Sequence, residues 1–201
     1  MNNAILNCRE NISRVKELGG LYEAVTSITT NIIDASDLLR AQVVMIVSAI
    51  DHYVHEITRI GMLEIYNGNR PATQAFQRFQ ISTNVLQSMI SSSHNSSSIF
   101  EDEIRTRHSY LSFQHPDKIA EAIRLFYPDP LWPAVGQRLG TTATNIKTRL
   151  RLIVDRRNKI AHEADMDPSY PGVRWPISKQ DVNNTITFIE EICEAIHAVV
   201  A

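Results

Sequence analysis

One apolar pattern constrains the fold of this chain more than any other feature. Between Asp37 and Tyr66, apolar residues recur at strict three- and four-residue spacing: Leu39, Val43, Ile46, Ile50, Tyr53, Ile57 and Ile60. An α-helix has 3.6 residues per turn, so this spacing puts them all on one face. The pattern predicts a long amphipathic helix, with Asp37 as its N-cap and the turn-forming residues 66–71 at its end.

Three other segments have helical periodicity. Near the amino terminus the apolar positions are Ile5, Ile12, Val15 and Leu18, then, after Gly19-Gly20, Leu21, Val25, Ile28 and Ile32. Because paired glycines interrupt this pattern, it predicts two short helices or one broken helix. Another helix is predicted to begin near Thr142. The last follows a capping-box-like sequence at residues 178–181, and its apolar positions are Val182, Ile186, Ile189, Cys193, Ile196 and Val200.

Residues 72–140 are less regular. The polar, low-complexity stretch 91–98 predicts a mobile loop, and short helices are predicted near 99–110, 116–126 and 131–139, with Pro116 suited to a first turn. The sequence has no strand-like alternation of useful length. The prediction is therefore an all-α bundle, with an irregular helical insertion between the second long helix and the helix that begins near Thr142.

Length and composition favour one domain over residues 1–201. A formal net charge of −2 argues against nucleic-acid binding by overall charge, so any polyanion site must be local. The chain has 2 cysteines, Cys8 and Cys193, too few for a disulfide framework or a four-thiolate zinc site. No basic region precedes an apolar run at the amino terminus, and the longest apolar run, Val43–Val47, is too short to cross a bilayer. These features predict a cytoplasmic protein with no membrane contact.

The segment Arg156-Arg157-Asn158-Lys159-Ile160-Ala161-His162-Glu163 carries the strongest functional signal. On a helical projection, Arg157 falls in the middle of an apolar stripe formed by Ile146, Leu150, Ile153, Ile160 and Ala164. Burying a guanidinium on a core face costs several kcal/mol unless it is paired or hydrated, so the position predicts a partner, a ligand or a wet cleft. Asn158 and His162 are four residues apart beside it, a spacing that allows a hydrogen bond.

This Arg-Asn-x-x-x-His spacing resembles the signature of the HEPN superfamily, and more narrowly of its RiboL-PSP branch. The resemblance extends to residues 38–41, 48–53, 69–73 and 174–177, and thus spans most of the chain. It implies a helical, usually dimeric domain. Many such domains are metal-independent ribonucleases of prokaryotic toxin, restriction or antiphage systems, while others have lost catalysis.

Arg157 and His162 are the predicted catalytic residues. Metal-independent RNA cleavage needs a base for the ribose 2′-hydroxyl, an acid for the departing 5′-oxygen and a cation for the phosphorane-like transition state. One arginine and one histidine make half of such a site. The family resemblance implies that two copies meet across a two-fold axis, so a homodimer is expected. Asn158 would orient His162 or hold a phosphate oxygen, and Glu163, which follows His162, is assigned a supporting role.

Polar residues of the long helix are further candidates. Ser48, Asp51 and His55 share one face, with Arg59 a turn beyond; Asp51 and His55 are predicted either to support the motif or to belong to a solvent-facing stripe. A metal site at Asp51, His52 and His55 lacks a convincing third ligand, so neither a metal nor a cofactor is predicted.

Basic residues gather around the motif. Six lie between Ile146 and Ile160, against Asp155 alone: Lys147, Arg149, Arg151, Arg156, Arg157 and Lys159. Arg151, Arg156, Lys159 and Arg174 are predicted RNA contacts, although a solvated helix face explains several of these charges equally well. Trp175 could stack on a base or anchor its loop on the core.

Three hypotheses follow for the function. The first is a dimeric endoribonuclease that leaves a 2′,3′-cyclic phosphate, associated with an antitoxin or a defence complex. The second is a catalytically inactive module that binds RNA or a nucleotide through the same groove. The third is a purely structural helical dimer, which predicts a buried, salt-bridged Arg157.

Overall fold

The chain is all-α in this computed structural model, which describes residues 1–29 and 34–201. Its helices are α1 (Asn2–Ile28), α2 (Ser36–Tyr66), α3 (Gln74–Gln77), α4 (Thr83–Ser91), α5 (Ser96–His108), α6 (Pro116–Arg124), α7 (Leu131–Leu139), α8 (Ala143–His162) and α9 (Lys179–Val200). Within the described ranges there is no β-strand, only an isolated antiparallel bridge between Met166 and Arg174. None of the helices described here has the length and apolar character needed to cross a membrane.

Helix α2 lies at the centre of the bundle, where α1, α8 and α9 pack against it together with α5 and α6. The predicted apolar face is confirmed: Leu39, Val43, Ile46, Ile50, Tyr53 and Ile57 are buried, and Ile60 is half-buried. The N-cap prediction was wrong. Asp37 lies inside the first turn, where a negative charge favours the helix dipole, and it pairs with Arg174.

Helix α1 runs without a break through Gly19-Gly20, so the prediction of two short helices or a broken one was wrong. Tertiary packing explains the continuity. The side-chain amide of Gln42 on α2 donates a 2.9 Å hydrogen bond to the Val15 carbonyl, and a Cβ on Gly19 would lie 2.8 Å from that amide nitrogen. The second half of the apolar pattern is not core, because Leu21 and Ile28 are exposed; Ile32 lies outside the described residues.

The insertion between α2 and α8 is helical and irregular, as predicted. The stretch 91–98 is not an irregular loop, however: it contains the end of α4, a short 3-10 turn (Ser93–Asn95) and the start of α5. A serine side chain contributes here. The Ser96 hydroxyl donates to the Ser93 carbonyl, which satisfies a backbone acceptor at the helix junction. The three short helices predicted near 99–110, 116–126 and 131–139 correspond to α5, α6 and α7.

Helices α8 and α9 begin where they were predicted to begin, near Thr142 and at residues 178–181. The Thr142 hydroxyl accepts the Asn145 amide at 3.1 Å, and the Ser178 hydroxyl accepts the Asp181 amide at 3.1 Å. Helix α8 buries Ile146, Leu150, Ile153 and Val154, whereas Ile160 is only half-buried. Ala164 was wrongly placed on this stripe: the helix ends at His162, and Ala164 is exposed, with φ of 50°.

Candidate active site

The end of α8 is fixed by a tight turn. Directly after His162 and Glu163, Ala164 and Asp165 both take left-handed backbone conformations, with φ of 50° and 59°. The Asp165 amide donates to the Lys159 carbonyl at 3.0 Å, and the Asp165 carbonyl accepts the Trp175 amide at 2.8 Å. Such conformations cost about 1 to 3 kcal/mol each in residues other than glycine, so the surrounding contacts must hold them.

Two guanidinium groups hold the buried carboxylate of Asp165. This side chain is 0% exposed, and its Oδ2 accepts hydrogen bonds from Arg40 Nε and Arg156 Nη2, both at 2.8 Å. The same arginines also donate to the Trp175 carbonyl, at 2.9 and 3.4 Å. We call Arg40, Arg156, Asp165 and the Trp175 carbonyl the Asp165 cluster. It ties α2, α8 and the loop after α8 together.

Arg156 therefore has a structural environment. Burial lowers the pKa of its guanidinium, the Asp165 carboxylate opposes that shift, and the neighbouring Arg40 charge adds to it. Asp165 Oδ1 is buried and has no hydrogen-bond partner within the described residues. No local pattern predicted this cluster, because Arg40 lies 125 residues from Asp165 and none of the three charged residues breaks a local rule.

Arg157 faces a different environment, although it is the next residue. It is half-buried and forms no ion pair or side-chain hydrogen bond with any residue in the ranges 1–29 and 34–201. It lines an open cleft of about 500 Å³, which we call the Arg157 cleft; the other lining residues are Ser112, Gln114, His115, Val154, Asp155 and Asn158. Arg157 thus lies at the edge of the apolar face and not in its middle. At the edge, water can hydrate the guanidinium.

His162 is exposed and lies on α8 beyond the residues that line this cleft. Asp155, Asn158 and His162 share a row on α8, and His162 lies one turn, about 6 Å, beyond Asn158. The expected hydrogen bond between Asn158 and His162 does not form in the structure. Glu163, the C-cap of α8, is exposed and forms no ion pair with a described residue. The imidazole is thus free to meet a ligand or a second copy of the chain.

Asp51 contacts the Arg157 cleft indirectly, through the loop between α5 and α6. Its carboxylate accepts the Phe113 amide at 2.6 Å and the Gln114 side-chain amide at 2.7 Å. Gln114 in turn lines the cleft. His55 lies 3.7 Å from the Asp51 carboxylate but packs against Phe113, with ring centroids 4.4 Å apart, and lines a separate pocket. Of the two supporting residues on α2, only Asp51 is linked to the cleft.

The basic residues around the motif are mostly paired. Lys147 and Arg151 both bind Asp117, at 2.7 and 3.1 Å, and Arg174 pairs with Asp37. The Arg149 guanidinium lies 4.1 Å from the centre of the Phe188 ring, and the Lys159 ammonium lies 5.1 Å from that of Trp175. Lys147 and Arg151 thus share one carboxylate, and Arg156 shares Asp165 with Arg40, so acidic residues compensate the local positive charge expected from the sequence only in part.

Sequence reasoning missed His115. This residue is the N-cap of α6 and lines the Arg157 cleft from the wall opposite α8. No periodic pattern or motif spacing marks it, since it comes from an irregular loop. The proline after it, which starts α6, was the only local signal.

Comparison with known proteins identifies a family. The family model described as RiboL-PSP-HEPN matches residues 9–201. No curated protein and no solved structure matches the chain. Because the match covers nearly the whole sequence, from α1 to the end of α9, the chain belongs to the RiboL-PSP-HEPN family.

Proposed function

We propose that this protein is a metal-independent endoribonuclease whose site combines Arg157 and His162 from two copies of the chain. The observation that carries the proposal is the contrast at the end of α8. There Arg157 borders an open cleft and has no partner among the described residues, whereas the neighbouring Arg156 binds the carboxylate of Asp165 in the loop after α8. An unpaired guanidinium in a concave site is suited to a phosphate oxygen.

The chemistry requires only groups that this chain can supply. A base removes the 2′-hydroxyl proton, the 2′-oxygen attacks phosphorus, and the bond to the 5′-oxygen breaks as an acid protonates that oxygen. Arg157 stabilises the extra negative charge of the transition state. The products are a 2′,3′-cyclic phosphate and a 5′-hydroxyl. Histidine suits both proton transfers, because its ordinary pKa is about 6.5.

A second copy completes the site in this proposal. One protomer brings a single His162, which is exposed at the end of its helix. A two-fold axis beside the Arg157 cleft brings a second histidine and a second arginine to the same phosphate. Light scattering at micromolar concentration should therefore give a dimer mass, and a monomer under those conditions would contradict the composite site.

The other site residues take graded roles. Asn158, which lines the cleft, holds a phosphate oxygen, and Asp51 fixes the loop that forms the opposite wall. Arg151, Lys159 and Arg174 keep part of their surface exposed and add weak contacts to the RNA backbone. His55 and Glu163 are peripheral, and Arg156 is reserved for the Asp165 cluster. An activity of this kind suits a toxin, antiphage or restriction-linked system with an antitoxin or complex partner that restrains it.

The test is incubation of purified protein with total RNA, with and without EDTA, followed by analysis of the product ends. We expect cleavage that EDTA leaves unchanged, with cyclic phosphate and 5′-hydroxyl ends. Cleavage that EDTA abolishes would rule out the metal-independent mechanism. Retention of RNA without any cleavage would favour the catalytically inactive binding module instead.

A further inference from the structure

The Arg157 cleft contains a second histidine from the same chain. Helix α8 forms one wall with Val154, Asp155, Arg157 and Asn158, and the loop before α6 forms the other with Ser112, Gln114 and His115. The His115 side chain is 43% exposed, so its ring can reach a molecule in the cleft. The motif spacing at residues 157–162 gives no indication of this residue.

The wall that carries His115 is held from both ends. On one side, Asp51 accepts hydrogen bonds from the Phe113 amide and the Gln114 side chain, and Phe113 is buried. On the other side, Trp132 Nε1 donates to the Pro116 carbonyl at 2.9 Å. A group that transfers protons needs a fixed position, and these contacts hold the chain on both sides of His115.

A carboxylate lies beside the His115 ring. Asp117 Oδ2 lies 3.7 Å from His115 Nδ1, a distance within ion-pair range though longer than a hydrogen bond. Lys147 and Arg151 of α8 bind the same carboxylate, and their hydrogen bonds hold its pKa below the ordinary range. The Asp117 carboxylate lies on the Nδ1 side of the ring. Nε2 is the ring nitrogen left for a ligand.

We infer that His115 is the general acid that protonates the departing 5′-oxygen, while His162 of either copy is the base. This inference rests on the proposed function and adds a catalytic residue to it. The base takes the 2′-hydroxyl proton as the bond from the 2′-oxygen to phosphorus forms. His115 then gives its proton to the 5′-oxygen as the bond from phosphorus to that oxygen breaks. Charge and protons balance, and no redox partner is needed.

Leaving-group chemistry tests this assignment. A thiolate is a good leaving group and departs without protonation, so RNA with sulfur in place of the bridging 5′-oxygen does not need the acid. His115→Ala should slow cleavage of ordinary RNA by about 10²- to 10⁴-fold and leave cleavage of the 5′-thio RNA near the wild-type rate. His162→Ala should slow both. His94→Ala, which removes an exposed histidine outside the cleft, should change neither.

Several results would overturn the inference. If His115→Ala slows both substrates equally, or slows neither, His115 is not the acid, although the proposed function survives as long as His162→Ala is inactive. His115→Gln guards against a folding defect, because it keeps a polar side chain at the helix start and should have the same selective effect on ordinary RNA. A wild-type protein that cleaves neither substrate would contradict the proposed function and this inference together.

Discussion

Arg156 and Arg157 are adjacent in sequence but lie in opposite environments. Arg156 donates to a fully buried carboxylate and to two backbone carbonyls, whereas Arg157 borders an open cleft without a described partner. One step along a helix turns the side chain by about 100°, which is enough to separate the two environments. Residue type and local sequence therefore do not distinguish a structural arginine from one available to a ligand; the position of Asp165 does.

The energetics of the two sites differ for the same reason. Removing a carboxylate from water costs several kcal/mol, so Asp165 requires both guanidinium groups close by. Arg157 keeps part of its surface in water and has no such requirement. Its helix position predicted a partner, a ligand or a wet cleft, and in the structure Arg157 lines an open cleft. The cluster that joins three parts of the fold and the proposed RNA site are thus built from neighbouring residues with different environments.

The largest effect we expect is a loss of RNA cleavage when His162 is replaced. His162→Ala should reduce single-turnover RNA cleavage by about 10²- to 10⁴-fold, the usual cost of losing a general acid or base. Its melting temperature should stay at the wild-type value, since the exposed ring makes no core contact. Cleavage assays and thermal melts on the same preparations would check both. A fully active variant would remove His162 from the mechanism.

A substitution in the Asp165 cluster should lower the stability of the fold. Asp165→Ala leaves Arg40 and Arg156 charged and partly buried without their carboxylate, which typically costs about 3 to 5 kcal/mol of unfolding free energy. Urea denaturation would measure this loss. Glu163→Ala, which removes an exposed carboxylate two residues away, is the matched control and should stay within about 0.5 kcal/mol of wild type. Equal stability of both variants would mean that the cluster contributes nothing.

The histidines also lie in different environments: His108 is buried, whereas His162 is exposed. Burial, with a smaller contribution from His55, lowers the pKa of His108 to about 4 from its ordinary 6.5. The folded state therefore favours neutral His108. The free energy of unfolding that this preference contributes is fully present above pH 6.5 and declines as the pH falls towards 4, by about 3 kcal/mol in total. Urea titrations across this range should show the decline for wild type and a weaker one for His108→Phe. Identical slopes would show that His108 is not responsible.

A smaller effect should come from the one acidic residue in the cleft. Asp155 lies beside Arg157 and repels an incoming phosphate, so Asp155→Asn should tighten RNA binding by up to about fivefold, the range of an exposed charge interaction. Asp129→Asn makes the same charge change at an exposed position outside the cleft and should leave affinity unchanged. Fluorescence anisotropy at fixed ionic strength would compare them. Equal tightening by both variants would indicate overall charge and not the cleft.

The helices and the motif were predictable because their signals are local. The apolar face of α2, the caps at Thr142 and Ser178, and the Arg157-to-His162 spacing each lie within a few turns of chain. The Asp165 cluster and the wall of the Arg157 cleft that carries His115 were not predictable, since each depends on contacts between residues far apart in sequence. Packing also overrode a local signal: the Gly19-Gly20 pair does not break α1, where Gly19 lies against Gln42 of α2. The polar residues 91–98 are largely helical although most of them are exposed.

A paired measurement on the two adjacent arginines tests the central claim most directly. Single-turnover RNA cleavage and thermal melting should be recorded for Arg157→Ala and Arg156→Ala under identical conditions. Arg157→Ala should lose about 10²- to 10³-fold in rate, as is usual when a group that stabilises transition-state charge is removed, and melt like wild type. Arg156→Ala should melt at a lower temperature, because Asp165 loses one of its two partners. Wild-type cleavage by Arg157→Ala, or a loss that merely follows its unfolding, would contradict the account.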